Sequence, residues 1–175
     1  IEKATGEKEV NAVGYCLGGT LLAAQLAYMA AKKDKRIVSA TFMTALTDFR
    51  ASGELNVFID EKQIESLEKK MNERGYLEGS EMGATFNMLR ANDLMWSFVI
   101  NNYLLGRDPL PFDLLHWNGD STRMPANMHS YYLRNMYLEN RLREPGGITL
   151  DGVPIDLSLV KTPSYFVSAL EDHIA

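Results

Sequence analysis

Val10-Asn11-Ala12-Val13-Gly14-Tyr15-Cys16-Leu17-Gly18-Gly19-Thr20 runs from a short apolar segment through a G-x-C-x-G-G turn. Thr20 to Lys33 follows, rich in Ala and Leu and free of Gly and Pro. The order predicts a buried strand, a sharp bend and a helix, with a cysteine presented at the bend where related motifs carry serine. Such a bend holds its middle residue at strained backbone angles and pushes the side chain out over the sheet. Gly14 and Gly18, two positions either side of Cys16, are expected where strand and helix pass too close for a Cβ. The N–H of Leu17, at the helix N-terminus, is expected to point where a tetrahedral oxyanion would form.

The chain has 175 residues, enough for one domain with a real core. Hydrophobic content is 46% and charged content 23%, ordinary for a soluble globular protein. The net charge of −5 implies no general affinity for nucleic acid. The single cysteine excludes an internal disulfide and suits a reducing cytoplasm. No Cys/His cluster has metal-ligand spacing, no run approaches the length of a membrane span, and no signal peptide is visible.

Arg36 to Ala45, with Ile37, Val38, Thr41 and Phe42, reads as a second parallel strand, so the order is strand, helix, strand. From Thr47 to about Leu142 the pattern turns helical. Asp60 can cap a helix with Ile64, Leu67 and Met71 on one face, ended by Gly75. Ser80 to Leu89 gives a second, and Asp93 can cap a third that closes at Gly106. Pro125 can open a fourth, with Met128, Tyr131, Tyr132, Met136 and Leu142. Ile148 to Ile155 reads as a hairpin on an Asp151-Gly152 turn, and Ser164 to Leu170 as a further sheet strand. The expectation is an α/β architecture: a partial α/β-hydrolase fold with a parallel sheet and a mostly helical cap insertion. Residues 1–46 belong to the core, 47–144 to the cap, and 145–175 return to the core. With few residues before the elbow strand, the chain reads as an internal fragment of a longer protein.

In α/β-hydrolases the chain order is nucleophile, acid, histidine. Cys16 comes first, and Asp172 falls at the C-terminal end of the last strand, where open α/β sheets place their ligand crevice. Of the three histidines, His116 and His129 fall in the helical insert, and His173 adjoins Asp172. Neighbouring side chains at a strand end diverge, so the general base is expected after Ala175. Met and aromatic side chains of the insert read as cap core. Asp48 reads as a loop or helix cap, and Trp117 as part of a structural turn.

Gly14-Tyr15-Cys16-Leu17-Gly18-Gly19 resembles the lipase-like box of polyhydroxyalkanoate synthases. Leu46-Thr47-Asp48-Phe49, Phe58-Ile59-Asp60-Glu61 and Arg90-Ala91-Asn92-Asp93-Leu94-Met95-Trp96 resemble further segments of that family. So do Pro111-Phe112-Asp113-Leu114-Leu115, Trp117-Asn118-Gly119-Asp120-Ser121-Thr122 and Glu171-Asp172-His173-Ile174. Tyr15 and Leu17 look like the class I members, which favour short-chain monomers. The resemblance implies an acyltransferase that polymerises (R)-3-hydroxyacyl-CoA through a Cys-Asp-His triad. Cys16 would be its nucleophile, Asp172 its acid and Leu17 an oxyanion donor. It further implies coenzyme A as part of substrate and product with no other cofactor, a growing polyester chain, a homodimer, and a cytoplasmic place on polyester granules. Two rivals remain open: a cysteine hydrolase of the dienelactone hydrolase type, and a non-catalytic binding domain of the same fold.

Overall fold

One helical turn, α1 (Glu2–Thr5), leads into strand β1 (Val10–Tyr15), helix α2 (Leu17–Ala31) and strand β2 (Ile37–Met43). The computed structural model describes residues 1–89, 91, 95–109 and 122–170. The chain divides into two compact units, Ile1–Glu61 with Tyr131–Ala175, and Lys62–Ser130.

In the first unit, β2 pairs in parallel with β1 and with β7 (Ser164–Val167), giving the order β1-β2-β7. The parallel pairing follows from the crossover: a helix of fifteen residues separates β1 from β2. Gly14 sits opposite Phe42, and Phe42 opposite Phe166, whose rings stack at 4.7 Å. Leu22, Ala23 and Leu26 of α2 pack on Ala40 and Phe42 of the sheet. On its other flank, Ala24 and Ala27 join Phe49, Met136, Leu142, Ile148 and Ile155. Apolar neighbours on both sides explain why α2 carries Ala and Leu almost all round rather than as one stripe.

The sequence predicts a buried β1, and the strand departs from that. Val13 and Tyr15 are 67% and 70% exposed, while Gly14 is buried. Alternate residues of a strand face opposite ways. Ala12 and Gly14 meet α2, and among the described residues the opposite face has no comparable cover.

The 149–154 segment forms the expected hairpin, β5 (Thr149–Leu150) and β6 (Val153–Pro154). Asp151 and Gly152 both hold positive φ, 47° and 73°, as a two-residue turn of this hand requires.

The second unit contains most of α3 (Glu61–Arg74), then β3 (Tyr76–Leu77), α4 (Gly79–Leu89) and β4 (Met124–Pro125). The predicted apolar face of α3 is the one that packs: Ile64 and Met71 are buried and Leu67 lies against the core. Met71, Leu77 and Ala126 form that core, with Met82 and Met124 against it. The antiparallel ladder of β3 with β4 has no counterpart in the sequence reading. Arg123 pairs with Glu78 at 3.0 Å and lies 4.8 Å over the Tyr76 ring, so a cation covers the short ladder. Pro125 is the last residue of β4, and helix α5 (Ala126–Tyr132) begins after it. Leu133–Leu138 then continues as a π-helical stretch, as does Val99–Leu104 earlier.

Asn140 ends the later stretch in the left-handed conformation, φ 51°. Its amide oxygen accepts from the Phe49 N–H at 2.8 Å, and its amide nitrogen donates to Asp48 at 2.8 Å. Asp48 also accepts from the Arg50 backbone and guanidinium, and Arg143 approaches at 3.3 Å. Asp48 therefore closes a loop. The Arg50 guanidinium, with help from Asn140, holds its carboxyl well below the usual 3.8 despite some desolvation. A carboxyl depressed in the folded state stabilises above its unfolded value and loses that contribution as pH falls toward its folded value. Melting curves at about pH 7 and about pH 3 check the consequence. Asp48→Asn should lower the midpoint at neutral pH and narrow the gap between the two conditions.

Candidate active site

The ladder of β1 runs up to the bend: the Cys16 N–H donates to the Met43 carbonyl at 2.9 Å. There the chain turns. Cys16 adopts φ 51° and ψ −126°, a combination that L side chains adopt only under constraint. Its carbonyl accepts from the Gly19 N–H at 2.9 Å and the Thr20 N–H at 3.4 Å, so α2 starts at once. The thiol is exposed. Leu17 is the first helical residue, a position whose N–H has no acceptor within the helix.

The glycines divide the labour differently from the expectation. A Cβ on Gly14 would lie 2.5 Å from the Gly19 Cα and 2.9 Å from the Gly18 carbonyl oxygen. A Cβ on Gly19 would lie 2.3 Å from the Ala45 Cβ. A Cβ on Gly18 would meet nothing within 4 Å. The crowded pair is Gly14 and Gly19, because β1 and the first turn of α2 cross there, with the loop after β2 pressed against them. The motif alone does not tell which of two adjacent glycines faces the crossing.

Thr20, one turn beyond Cys16, donates its hydroxyl to the Leu46 carbonyl at 2.6 Å and ties α2 to the end of β2. Tyr132 and Tyr137 gather beside this first turn, packed edge-on to Phe49 and to each other. Burial pushes both phenols up, and a charge at Cys16 pushes both in the same direction. The Tyr137 hydroxyl adds to the rise at Tyr132. The sequence reading placed these rings in cap core, and nothing in their spacing signals that they meet, since five positions along an α-helix lead to different faces.

Asp172, the acid expected from the sequence, lies outside the described residues, as do His116, Trp117 and His173. His129 is buried in the second unit, its Nδ1 has no hydrogen-bond partner among the described residues, and burial pushes its pKa down. Among the described residues no group of three His, Cys, Asp or Glu could hold a metal ion, and no helix is long and apolar enough to cross a membrane.

A family model described as alpha/beta hydrolase fold matches residues 1–175. Over 175 residues the chain is 59% identical to "Poly(3-hydroxyalkanoate) polymerase subunit PhaC" of Rhizobium meliloti (strain 1021), covering 100% of this chain and 28% of that protein. It is 42% identical to the protein of the same name from Cupriavidus necator, covering 97% of this chain and 30% of that protein. "Poly(3-hydroxyalkanoate) polymerase 2" of Ectopseudomonas oleovorans is 39% identical, over 97% of this chain and 30% of the relative. The chain thus spans under a third of the length of these relatives. The strand–bend–helix geometry at Cys16, the parallel order β1-β2-β7 and the match along all 175 residues agree, and the chain belongs to the alpha/beta hydrolase fold family.

Proposed function

We propose that this chain is the catalytic segment of a polyester synthase, which polymerises a short-chain (R)-3-hydroxyacyl-CoA, such as 3-hydroxybutyryl-CoA, and releases coenzyme A. The observation that carries the reading is the exposed, strained Cys16 at the start of α2, in a chain 59% identical to a named polymerase.

The chemistry fits a cysteine better than a serine. The thiolate attacks the thioester carbonyl, the carbon–sulfur bond to coenzyme A breaks, and the released coenzyme A thiolate takes up the proton that Cys16 gave to the general base. One thioester replaces another at nearly equal free energy, so the acyl group stays activated. A hydroxyl of the growing chain then attacks the acyl-enzyme and frees the thiol. A histidine serves as general base, and Asp172 orients it and stabilises its charged form. The Leu17 N–H faces the tetrahedral oxyanion, a donor worth on the order of 3 kcal/mol in comparable sites. No cofactor is needed beyond the coenzyme A of the substrate. The proposal extends to a homodimer working on polyester granules in the cytoplasm.

Incubating the full-length protein with 3-hydroxybutyryl-CoA tests it. Coenzyme A release matched by sedimentable polymer, with an acyl adduct on Cys16, is the expected result. Release matched by free hydroxy acid would instead make the protein a hydrolase. Absence of any adduct would make it a binding domain.

A further inference from the structure

Two residues at one end of the sheet hold positive φ side by side. Cys16 follows β1 at φ 51°, and Thr44 follows β2 at φ 45°. Their strands pair up to that point, with Tyr15 opposite Met43. For a β-branched residue such as Thr44 this conformation is a real outlier, and it persists only where the surroundings over-determine it. The surroundings here are β7 and the first turn of α2. The Met43 carbonyl accepts from the Cys16 N–H at 2.9 Å. The other side of the same peptide, the Thr44 N–H, donates to the Val167 carbonyl at 2.8 Å. That peptide is therefore fixed between β1 and β7, and rotation at Thr44 steers the chain beyond it. With Thr44 at φ 45°, the Ala45 methyl stands over Gly19, where an added Cβ would lie 2.3 Å from it. The Leu46 carbonyl then meets the Thr20 hydroxyl at 2.6 Å. The run from Met43 to Leu46 thus touches Cys16, Gly19 and Thr20 in order.

We propose that Thr20 is a positioning residue: its hydroxyl latches the strained turn at Thr44, and the latched segment 43–46 keeps Cys16 in its own strained conformation. This rests on the reading of Cys16 as the nucleophile. Thr20 is buried, so its hydroxyl cannot exchange the Leu46 carbonyl for water unless the turn opens. Without the latch, Thr44 relaxes toward negative φ and withdraws Ala45 from Gly19. The first turn of α2 is then free to relax as well, and Cys16 swings its carbonyl away from the Gly19 N–H, now 2.9 Å off. A nucleophile displaced by about 1 Å can lose ~10²-fold in rate while substrate still binds. The Tyr132 hydroxyl also bonds with Thr20, as a second contact that does not cross to the turn.

The test uses two readouts in the full-length protein. Hydrogen exchange at the Gly19 amide, resolved by fragmentation mass spectrometry, reports the bend without substrate. Coenzyme A release from 3-hydroxybutyryl-CoA reports the consequence for turnover. Thr20→Val keeps the shape of the side chain and removes the hydroxyl. It should speed Gly19 exchange about fivefold or more, as loss of one hydrogen bond implies. It should also lower kcat about tenfold with little change in KM. Thr20→Ser keeps the hydroxyl, and Tyr132→Phe removes only the second contact, so both should exchange like the parent. Thr44→Gly removes the strain that the latch restrains. In that background the effects of Thr20→Val on exchange and on kcat should each shrink about threefold or more. Unchanged Gly19 exchange in Thr20→Val, or equal effects with and without Thr44→Gly, would overturn the proposal. Faster exchange with unaltered kcat would overturn the positioning role and leave a structural tie. The expected exchange pattern and lowered kcat, with free hydroxy acid in place of polymer, would support the latch and remove the polymerase reading.

Discussion

Cys16→Gly is expected to abolish polymer formation while making the protein more stable. The two effects share one cause. At φ 51° and ψ −126° any residue with a Cβ is strained, at a cost of about 1–3 kcal/mol. Glycine adopts such angles readily, so about 1 kcal/mol of that strain should return as a higher melting midpoint, after its greater unfolded-state entropy is deducted. Activity goes the other way. Removing the nucleophile of a covalent mechanism costs about 10⁶-fold in comparable hydrolases, leaving only what binding and the oxyanion donor supply. Cys16→Ala separates the terms: it should be as inactive as the glycine variant but no more stable than the parent. Paired melting curves and coenzyme A release assays on the three full-length proteins check this. Equal midpoints for Cys16→Gly and Cys16→Ala would mean that the bend stores no strain.

The second large effect concerns the glycines around the bend. Gly19→Ala would place a Cβ 2.3 Å from that of Ala45, and Gly14→Ala would place one 2.5 Å from the Gly19 Cα. The Gly14 clash is with backbone, which cannot swing away as a side chain does. Either substitution should cost about 3 kcal/mol or more, the upper part of the range for overpacking. Gly18→Ala meets open space among the described residues and removes a flexible residue from a helix. It should stabilise by about 0.5–1 kcal/mol. Chemical denaturation midpoints of the three variants should therefore rank Gly18→Ala above the parent and the other two well below it. Reversal of the Gly18 and Gly19 results would mean that the crossing is at the other glycine.

These contrasts mark how far the amino-acid order reaches. The elbow was legible because three independent signals coincide within a few residues: an apolar run, closely spaced glycines and a helix-forming stretch. Helix α3 was legible from Ile64, Leu67 and Met71, and the hairpin from Asp151-Gly152, because both depend on neighbours in sequence. The exposure of Val13 and Tyr15 was not, since a strand's apolar content does not say how many of its faces find a partner. The β3–β4 ladder was not, because two residues are too few for an alternation to register. The π turn was hidden for a related reason: no residue type favours it, and it exists where packing of Tyr132 and Tyr137 on Phe49 outweighs the regular helix. Asn140 combines a left-handed backbone with two side-chain bonds to a loop ninety-odd positions away in sequence. Asp172 rests on motif and chain order alone.

Helix α2 is gripped by sheet residues on one flank and by Phe49, Leu142 and Ile155 on the other, which leaves Leu21 and Gln25 on its exposed side and holds it against rolling. The sulfur at its tip is consequently aimed once, when the chain folds, and on the proposed function it keeps that bearing through every cycle of addition. Accommodating a bulkier monomer would then be a matter of recarving the walls around a stationary reaction point, and variants selected for new monomers should gather there, leaving the helix interior untouched.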